Sequence, residues 1–401
     1  MVKSCAWGQL ASPGPRLAVL GGGQLAKMLA QAAARLGCQV VALEKNLDCP
    51  AALVCPVQVL TDWEQTVGAI TSWGRVDVVT LENEFVADSI LADLEASGLQ
   101  VRPGAATLRR IRDKFVQKTT LAQAGLPVPA FAAVQTLEEI AVHAREWGWP
   151  LVLKARCHGY DGKGNATLRS LDEAGSAWAR LGGSAGRSLY VEAFCRFDRE
   201  LAVMVTRERD GNIVTYPVVE TVQTNHVCHH VVAPARISAT LAQQAAELAR
   251  AAIESVQGVG TFGVELFLDP EGRLWINELA PRVHNTGHYT IEACECSQFE
   301  NHVRAVLGWP LGSPHMVAPA AAMVNLLGQR SGSGHAHGLE KALAIPGAHV
   351  HIYGKSRCAP GRKMGHVTAL GTTPEEALSR AEAAARCIEF GLNTDTETDQ
   401  Q

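Results

Sequence analysis

Residues 263–282 have the sequence GVELFLDPEGRLWINELAPR. Two apolar segments flank the tetrapeptide DPEG at 269–272, where proline and glycine favour a tight turn. The stretch therefore predicts a hairpin with strands over 263–268 and 274–278. In such a hairpin Glu265 and Glu278 face each other, so two carboxylates meet on neighbouring strands.

These glutamates, together with Asn277, form a candidate Mg²⁺ site. Proteins usually hold Mg²⁺ with one or two carboxylates that act together with substrate phosphates. Glu278 has apolar neighbours such as Ile276 and Leu279, among which an unpartnered carboxylate is costly to bury. The alternative is a solvent-facing glutamate, and the surrounding sequence favours the metal site over it.

A polar segment at 281–288 follows directly after this hairpin. Its Arg282 can bind a phosphoryl or carboxylate group through two parallel hydrogen bonds. His284 and Asn285 add further polar groups. Alone the segment would be an ordinary polar loop, but its position after the candidate metal strand predicts a loop that faces substrate.

A glycine-rich loop at 158–164 follows a predicted buried strand over 150–154 that ends in Lys154. Glycine has no Cβ, so such a loop can approach a polyphosphate closely. Lys154 and Lys163 supply positive charge. The spacing is not that of a P-loop. A plain glycine turn with solvated lysines is the alternative.

The turn at 21–26, GGGQLA, lies between a predicted strand and a predicted helix. With Glu44 downstream it is close to the dinucleotide-binding fingerprint, which makes an NAD(P)-dependent dehydrogenase a competing hypothesis. The turn could equally face the phosphate of a nucleotide substrate. Glycines that only allow close packing of strand and helix are a third explanation, and the turn alone does not decide among the three.

Strands and helices alternate through the first hundred residues, which predicts a doubly wound parallel sheet. A long helical stretch is predicted from Gly104 to Gly125, where the prolines at 127 and 129 end it. Antiparallel strands dominate after residue 150. The apolar runs at 323–327 and 349–353 predict a small β-rich domain, and the polar tail from Asn393 is expected to be disordered.

The composition is that of an ordinary globular protein, with 401 residues, 47% hydrophobic and 19% charged, which predicts two or three domains. A formal net charge of −4 argues against a general nucleic-acid or membrane-surface binder. No apolar run approaches the roughly 18 residues of a membrane span, and a cytoplasmic location is expected. Neither the 11 cysteines nor the histidines at 226, 229 and 230 have zinc-site spacing.

Several motifs together resemble one family, the 5-(carboxyamino)imidazole ribonucleotide synthetases of the ATP-grasp superfamily. The resemblance runs from about Arg16 to Leu370, and its order of motifs makes it far more specific than any single one. The motifs are GYDGKG at 159–164, YPVVE at 216–220, APA at 233–235, GVELF at 263–267, NELAPR at 277–282, HN at 284–285, GHYTIEA at 287–293, SQFE at 297–300, YGK at 353–355 and PGRKMGH at 360–366.

The resemblance implies an α/β fold, α+β overall, of the ATP-grasp type. Residues 1–113 would form a Rossmann-like pre-grasp domain, residues 114–310 the ATP-grasp domain, and residues 311–401 a small C-terminal β-rich domain. ATP, Mg²⁺ and bicarbonate would be required. A homodimer and functional coupling to a mutase are also implied.

The ATP site implied by the resemblance comprises two lysines, the glycine loop, the end of the strand at 190–195 and the metal strand. Glu192 and nearby backbone would contact the adenine edge, Glu200 the ribose hydroxyls, and Glu265 and Glu278 the Mg²⁺. Its residues are Lys114, Lys154, Gly159, Tyr160, Asp161, Gly162, Lys163, Gly164, Asn165, Glu192, Ala193, Phe194, Cys195, Glu200, Gln223, Asn277 and Glu278.

The implied ribonucleotide site draws on all three domains, and its basic members suit a 5′-phosphate. Its residues are Gln24, Glu82, Tyr160, Arg282, His284, Asn285, Lys355, Arg362 and Lys363. The residues implied for catalysis are Asp161, Lys163, Arg282 and Lys355.

The chain departs from the usual family pattern at a few positions. Ala26 replaces a glycine, Ala155 a threonine and Asn165 a glutamine. Thr221 and Gln223 stand where asparagine and histidine are common. Gln223 still offers hydrogen bonds near ATP, but the departure weakens the transfer of that contact.

The implied reaction starts with attack of bicarbonate on the γ-phosphorus of ATP. Carboxyphosphate would then release CO₂ beside the exocyclic amine of 5-aminoimidazole ribonucleotide, in de novo purine biosynthesis. Asp161, in the loop between both substrates, is the candidate for handling a proton. Other ATP-grasp enzymes, such as a formate-dependent transformylase or a biotin-dependent carboxylase, and a non-catalytic scaffold remain alternatives.

Overall fold

The structure is a computed structural model that describes residues 14–157, 159, 164–224 and 227–392. Four glycine-loop residues named above, at 160–163, lie outside the described residues, as do His226 and the polar tail from Asn393. Among the described residues, no helix combines the length and apolar content that a membrane crossing requires.

The N-terminal part is a parallel sheet with the strand order β3-β2-β1-β4. Leu17 of its central strand pairs with Val40 on one side and Val78 on the other. Both faces are covered, so its strands are almost entirely apolar. This confirms the predicted parallel sheet. Its elements are β1 (Arg16–Leu20), α1 (Gln24–Arg35), β2 (Gln39–Glu44), β3 (Val57–Val59), α2 (Thr66–Ser72), β4 (Val78–Leu81), α3 (Asp88–Ala96) and α4 (Ala105–Ile111).

The prediction of one long helix from Gly104 to Gly125 is wrong, because the structure has two helices in this stretch. The second is α5 (Lys114–Gln123). The carboxylate of Asp113 accepts hydrogen bonds from the backbone N–H groups of Phe115 and Val116, at 2.9 and 3.2 Å. Such an N-cap starts a new helix inside a stretch whose apolar spacing is continuous.

A second sheet of four strands has the order β5-β8-β6-β7 and is antiparallel. Leu151 and Leu153 of its inner strand are fully buried against the helices on one face. The alternate residues, including Lys154, point to the other face. Its elements are β5 (Phe131–Val134), α6 (Leu137–Trp147), β6 (Leu151–Ala155), β7 (Asn165–Leu168), α7 (Ala174–Arg180) and β8 (Leu189–Ala193).

The largest sheet has nine strands in the order β14-β13-β9-β11-β12-β15-β19-β17, with β10 beside β9. Its last three strands are β15 (Ala320–Leu327), β19 (Lys363–Gly371) and β17 (Ala348–Ile352). The predicted hairpin at 263–278 forms one edge of it, as β13 and β14. Its first elements are β9 (Arg199–Arg207), β10 (Ile213–Thr215), β11 (Val219–Thr224), β12 (Val227–Ala233), α8 (Ala239–Val256), β13 (Gly260–Leu268), β14 (Leu274–Ala280), α9 (Thr290–Ala293) and α10 (Gln298–Leu307).

The C-terminal strands continue this sheet, since β12 pairs with β15 from His230↔Val324 to Ala233↔Ala321. The predicted C-terminal β-structure is thus hydrogen-bonded to the strands of the central region. Its elements are β15 (Ala320–Leu327), β16 (Gly332–Ser333), α11 (Leu339–Leu343), β17 (Ala348–Ile352), β18 (Arg357–Cys358), β19 (Lys363–Gly371) and α12 (Pro374–Ala385).

The N-terminal and C-terminal parts also touch directly. The ammonium of Lys27 on α1 donates to the carbonyls of Ile352 and Tyr353, at 2.8 and 3.3 Å. Helix α1 packs on α10, which follows the polar loop at 281–288. Helix α10 also packs on β13, so these contacts bring helix α1 near both the predicted hairpin and the end of β17.

Candidate functional site

The hairpin holds its two glutamates opposite each other, as the sequence predicted. Glu265 of β13 pairs with Glu278 of β14, but the next residue, Leu266, pairs with Ile276. Asn277 is therefore the extra residue of a β-bulge, which interrupts the usual alternation of side chains. Its amide donates to a carboxylate oxygen of Glu265 at 3.3 Å. The bulge thus gathers three oxygen-bearing side chains at one place.

Electrostatics at this pair fit a divalent cation. Burial, and then the charges of Glu278 and Glu200, raise the pKa of Glu265 to about 8. A cation between the two carboxylates would remove that repulsion. No described group of three or more His, Cys, Asp or Glu side chains could hold a metal. Two carboxylates suit Mg²⁺, which commonly takes the rest of its coordination from substrate phosphates and water.

Helix α5 places two lysines four residues apart on one face, and together they contact both antiparallel sheets. Lys114 forms an ion pair with Glu278 of β14 at 3.0 Å. Lys118 forms one with Glu192 of β8 at 3.3 Å and donates to the carbonyl of Ile276 at 3.0 Å. The helix therefore spans the cleft between the two sheets and carries positive charge to both walls.

Glu192 accepts two hydrogen bonds inside the protein and forms an ion pair with Lys118. One oxygen lies 3.3 Å from the ammonium of Lys118 and accepts a 3.1 Å bond from the hydroxyl of Tyr190, and the other accepts a 2.6 Å bond from Lys154. Burial would raise the pKa of Glu192, but the two lysines lower it to about 2. Burial in turn lowers the pKa of Lys118 to about 8. The carboxylate of Glu192, which was predicted to contact the adenine, is thus already bound to two lysines.

Arg282 is held by a residue that the sequence did not single out, Glu84. The guanidinium donates two hydrogen bonds to the Glu84 carboxylate, at 2.6 and 3.3 Å, and a third to the carbonyl of Val283. Burial would raise the pKa of Glu84, but Arg282 lowers it to about 2. Burial would lower the pKa of Lys114, but the charges of Glu278 and then Glu84 raise it above its usual value. These charges therefore belong to one electrostatic cluster.

Acid should remove the stabilisation that this pair provides. Between about pH 5 and pH 2, the free energy of unfolding should fall by about 2–3 kcal/mol more in the wild type than in Glu84→Gln. The folded pKa of Glu84, about 2, lies below its unfolded value, so its contribution is present above the unfolded pKa and is lost as pH falls through the folded one. Urea unfolding at several pH values measures this.

Glu254→Gln is the matched control, because Glu254 lies in an ion pair with Arg250 in which both side chains are about half exposed. Its unfolding free energy should follow the wild type across the same pH range. Parallel curves for the wild type and Glu84→Gln would show that Arg282 does not hold a charged Glu84.

The glycine turn is filled by carboxylates of the protein itself. Gly22 N–H donates to Glu44 at 2.9 Å, and Leu25 N–H at the start of α1 donates to Glu82 at 3.4 Å. A Cβ on Gly23 would lie only 2.2 Å from a Glu82 oxygen. The helix N-terminus therefore faces a buried glutamate where a dinucleotide fold presents it to a pyrophosphate. Gln24 is the first residue of α1 and directly precedes Leu25.

Gly23→Ala should lower the free energy of unfolding by about 1–3 kcal/mol, as expected for overpacking. The new methyl group would displace the Glu82 carboxylate from its bonds to Leu25 N–H and Asn83. Gly68→Ala is the control, since Gly68 lies in α2 with open space around its missing Cβ. That change should be neutral or stabilise by up to about 1 kcal/mol. Equal effects in urea unfolding would contradict the proposed crowding at Gly23.

The polar loop contributes a neutral imidazole. His284 lies 3.6 Å from a Glu265 oxygen through Nε2 and 2.9 Å from the Thr286 hydroxyl through Nδ1. Burial, followed by the charge of Arg282, lowers the pKa of His284 to about 3. Asn285 exchanges two side-chain hydrogen bonds with Asn325, at 2.9 and 2.7 Å. That exchange fixes the loop against β15.

Three predicted basic residues come from the C-terminal segment. The ammonium of Lys355 donates to the carbonyl of Lys363 at 2.6 Å and lies 5.6 Å from the ring centre of Tyr353. The charge of Lys363 acts on Glu265 and His284. Arg362 is exposed and donates to the carbonyl of Arg357 at 2.8 Å. The charge of Lys363 thus connects the C-terminal segment to Glu265 and His284.

The remaining predicted ATP contacts lie around the same cleft. Gln223 donates to the carboxylate of Glu200, whose pKa is raised by burial. Asn165 pairs with Lys154 across the strands that carry the glycine loop. A Cβ on Gly164 would lie 2.6 Å from the Cα of Gly159, so glycine lets the two ends of the loop meet. Ala193 ends β8 beside Glu192, and Phe194 and Cys195 follow the strand.

Comparisons with known proteins agree with this arrangement. Three family models match in succession, the ribonucleotide synthetase preATP-grasp domain at 15–112, the ATP-grasp domain at 119–299 and the phosphoribosylaminoimidazole carboxylase C-terminal domain at 321–380. The N5-carboxyaminoimidazole ribonucleotide synthase of Synechococcus elongatus is 44% identical, over 89% of this chain and 90% of the relative.

The chain belongs to the N5-carboxyaminoimidazole ribonucleotide synthase family. Solved synthetases of this family have the same fold. The Thermotoga maritima enzyme superposes with a TM-score of 0.82 at 38% identity, covering 94% of this chain and 99% of that one. The Aspergillus clavatus enzyme in complex with ADP and 5-aminoimidazole ribonucleotide has a TM-score of 0.84 at 35% identity, covering 93% and 98%.

Membership of the synthase family confirms the ATP-grasp fold that the sequence predicted and overturns the dehydrogenase hypothesis. The glycine turn that suggested a dehydrogenase belongs to the pre-grasp region of such synthases. The related Vigna aconitifolia phosphoribosylaminoimidazole carboxylase is 41% identical, and this chain spans only 64% of its length.

Proposed function

We propose that this chain uses ATP and bicarbonate to carboxylate the exocyclic amine of 5-aminoimidazole ribonucleotide, giving ADP, phosphate and 5-carboxyaminoimidazole ribonucleotide in de novo purine biosynthesis. The observation that carries the proposal is the convergence of the Glu265–Glu278 pair, Lys114 and Arg282 in one half-buried cluster. The Aspergillus relative, solved with ADP and 5-aminoimidazole ribonucleotide, supports the same substrates.

ATP would bind in the cleft between the two antiparallel sheets. Lys154, Lys114 and the glycine-rich segment at 159–165 would contact its phosphates. The strand end at 192–195 would contact the adenine, and Glu200, which accepts a hydrogen bond from Gln223, would contact the ribose. Glu265 and Glu278, with Asn277 beside them, would hold Mg²⁺, which supplies charge neutralisation at the phosphates.

Bicarbonate would attack the γ-phosphorus beside Arg282, whose guanidinium Glu84 holds in a fixed orientation. Transfer of a phosphoryl group needs positioning and charge stabilisation more than covalent help from the protein. Lys114, Lys163 and Arg282 would stabilise the developing charge. Closure of the glycine loop would keep water from carboxyphosphate until it releases CO₂.

The ribonucleotide would bind between the N-terminal and C-terminal parts. Its 5′-phosphate suits the basic side chains of Lys355, Arg362 and Lys363, while Gln24, Glu82, Tyr160 and Asn285 offer polar contacts. His284 is neutral, so it can accept or donate a hydrogen bond near the reacting amine without adding charge. The amine attacks CO₂ through its nitrogen lone pair and loses a proton.

Asp161→Asn should lower turnover by on the order of 10²-fold, the typical contribution of general acid–base catalysis. The proposed role of Asp161 is to orient the amine or accept that proton, and asparagine cannot accept it. Steady-state rates for the variant and for Asp172→Asn, which lies beyond the loop near α7, measure this. An Asp161→Asn enzyme with full synthetase activity would refute the role.

The chemical identity of the product distinguishes this reaction from those of other ATP-grasp enzymes. With ¹³C-bicarbonate, ATP, Mg²⁺ and 5-aminoimidazole ribonucleotide, a new ¹³C carbamate resonance should appear in step with ADP. A formyl or other product would assign the chain to a different ATP-grasp reaction.

We further propose that the protein is a cytoplasmic homodimer that transfers its unstable product to a mutase. The greater length of the Vigna relative leaves room for a second activity on one chain.

A further inference from the structure

Lys118 is a buried charge that the reaction above does not use. Its side chain is 2% exposed, in the middle of α5, and it belongs to none of the motifs at which the sequence resembles its family. It is bound by the Ile276 carbonyl and the Glu192 carboxylate. A lysine so deeply buried is costly unless its charge has a partner, so its position calls for an explanation.

The partner is shared, because Glu192 lies between two ammonium groups. Lys118 approaches one of its oxygens from the buried side, and Lys154 approaches the other at 2.6 Å. Tyr190 donates from the same strand, and Glu278 and Cys195 are the other titratable groups whose charge couples to Lys118. One negative charge therefore faces two positive ones, and the triad keeps a net positive charge.

We propose that Lys118 is a positioning residue that neutralises Glu192 and so leaves the charge of Lys154 available to the phosphates of the bound nucleotide. The inference rests on the proposed function only in that a nucleotide binds against Lys154. Without Lys118, the whole charge of Glu192 would face Lys154 at hydrogen-bond distance. Lys154 would then be held as half of a neutral pair and would attract phosphates less.

Equilibrium binding of ADP with Mg²⁺ tests this without requiring turnover. Lys118→Met should raise the Kd for ADP by about tenfold or more, the effect of removing one charge a few ångströms from the site. Lys118→Gln keeps a donor for the Ile276 carbonyl and should raise the Kd for ADP to a similar extent. It replaces the methionine variant if that variant does not fold. Lys118→Arg keeps the charge and should bind ADP within about threefold of the wild type.

A double-mutant cycle separates this role from a general structural one. In a Glu192→Gln background there is no carboxylate for Lys118 to neutralise, so adding Lys118→Met or Lys118→Gln should change the Kd for ADP by less than about threefold. A tenfold loss in both backgrounds, or no loss in the wild-type background, would overturn the proposal. A wild-type protein that does not bind ADP would instead contradict the proposed function.

Discussion

Glu278→Gln should lower kcat by on the order of 10²-fold or more at saturating Mg²⁺, as for the loss of one preorganised electrostatic group. Glutamine keeps the size of the side chain but removes the negative charge that faces Glu265 and binds Lys114. Both the proposed cation and Lys114 would lose a partner at once. Steady-state ADP formation over a wide range of Mg²⁺ concentration measures the effect.

Glu271→Gln is the matched control, because Glu271 lies in the turn of the same hairpin with a side chain 64% exposed. Its kcat should remain within about twofold of the wild type, as for a surface ion pair. If Glu278→Gln reached near-normal turnover at saturating Mg²⁺, Glu278 would not belong to the metal site. The pairing of β13 and β14 would then be structural.

Arg282→Lys should lower kcat/KM for bicarbonate by on the order of 10²-fold, although the charge is kept. The guanidinium binds the Glu84 carboxylate through two nitrogens, and a lysine cannot make that fork. The new ammonium would be free to point elsewhere, so the charge would no longer be fixed beside the phosphoryl group. Initial rates at varied bicarbonate and saturating ATP measure the loss.

Arg250→Lys provides the comparison, since Arg250 lies on the exposed face of α8 in an ion pair with Glu254. That variant should match the wild type in kcat/KM. If Arg282→Lys also matched it, a positive charge alone would be sufficient at this position. The fixed orientation given by Glu84 would then have no part in catalysis.

The hairpin of the candidate site could be predicted from the sequence because its residues lie in one contiguous motif. The turn at 269–272 fixed the hairpin, and with it the facing of Glu265 and Glu278. Local spacing did not reveal the bulge at Asn277, which depends on how two strands align over several residues. The N-cap at Asp113 was not predicted either, because the apolar spacing continues without a break from the first helix into the second.

Glu84 and Lys118 were missed for a different reason. Each forms an ion pair with a residue that is distant in the sequence. Glu84 binds Arg282, and Lys118 binds Glu192. A charged residue in a helix or after a strand is usually solvated, so its sequence neighbourhood gives no sign of burial. The glycine turn, by contrast, suggested a dinucleotide site that the structure does not support. Glu44 and Glu82 accept the backbone N–H bonds that a dinucleotide would need.

The most direct test of the central claim is ADP release by the purified protein with ATP, Mg²⁺ and bicarbonate, measured with and without 5-aminoimidazole ribonucleotide. The proposed carboxylation predicts strong stimulation by the ribonucleotide, with one ADP formed for each ribonucleotide consumed. ADP release that is the same with and without the ribonucleotide would contradict the proposal and point to a different acceptor for this ATP-grasp site.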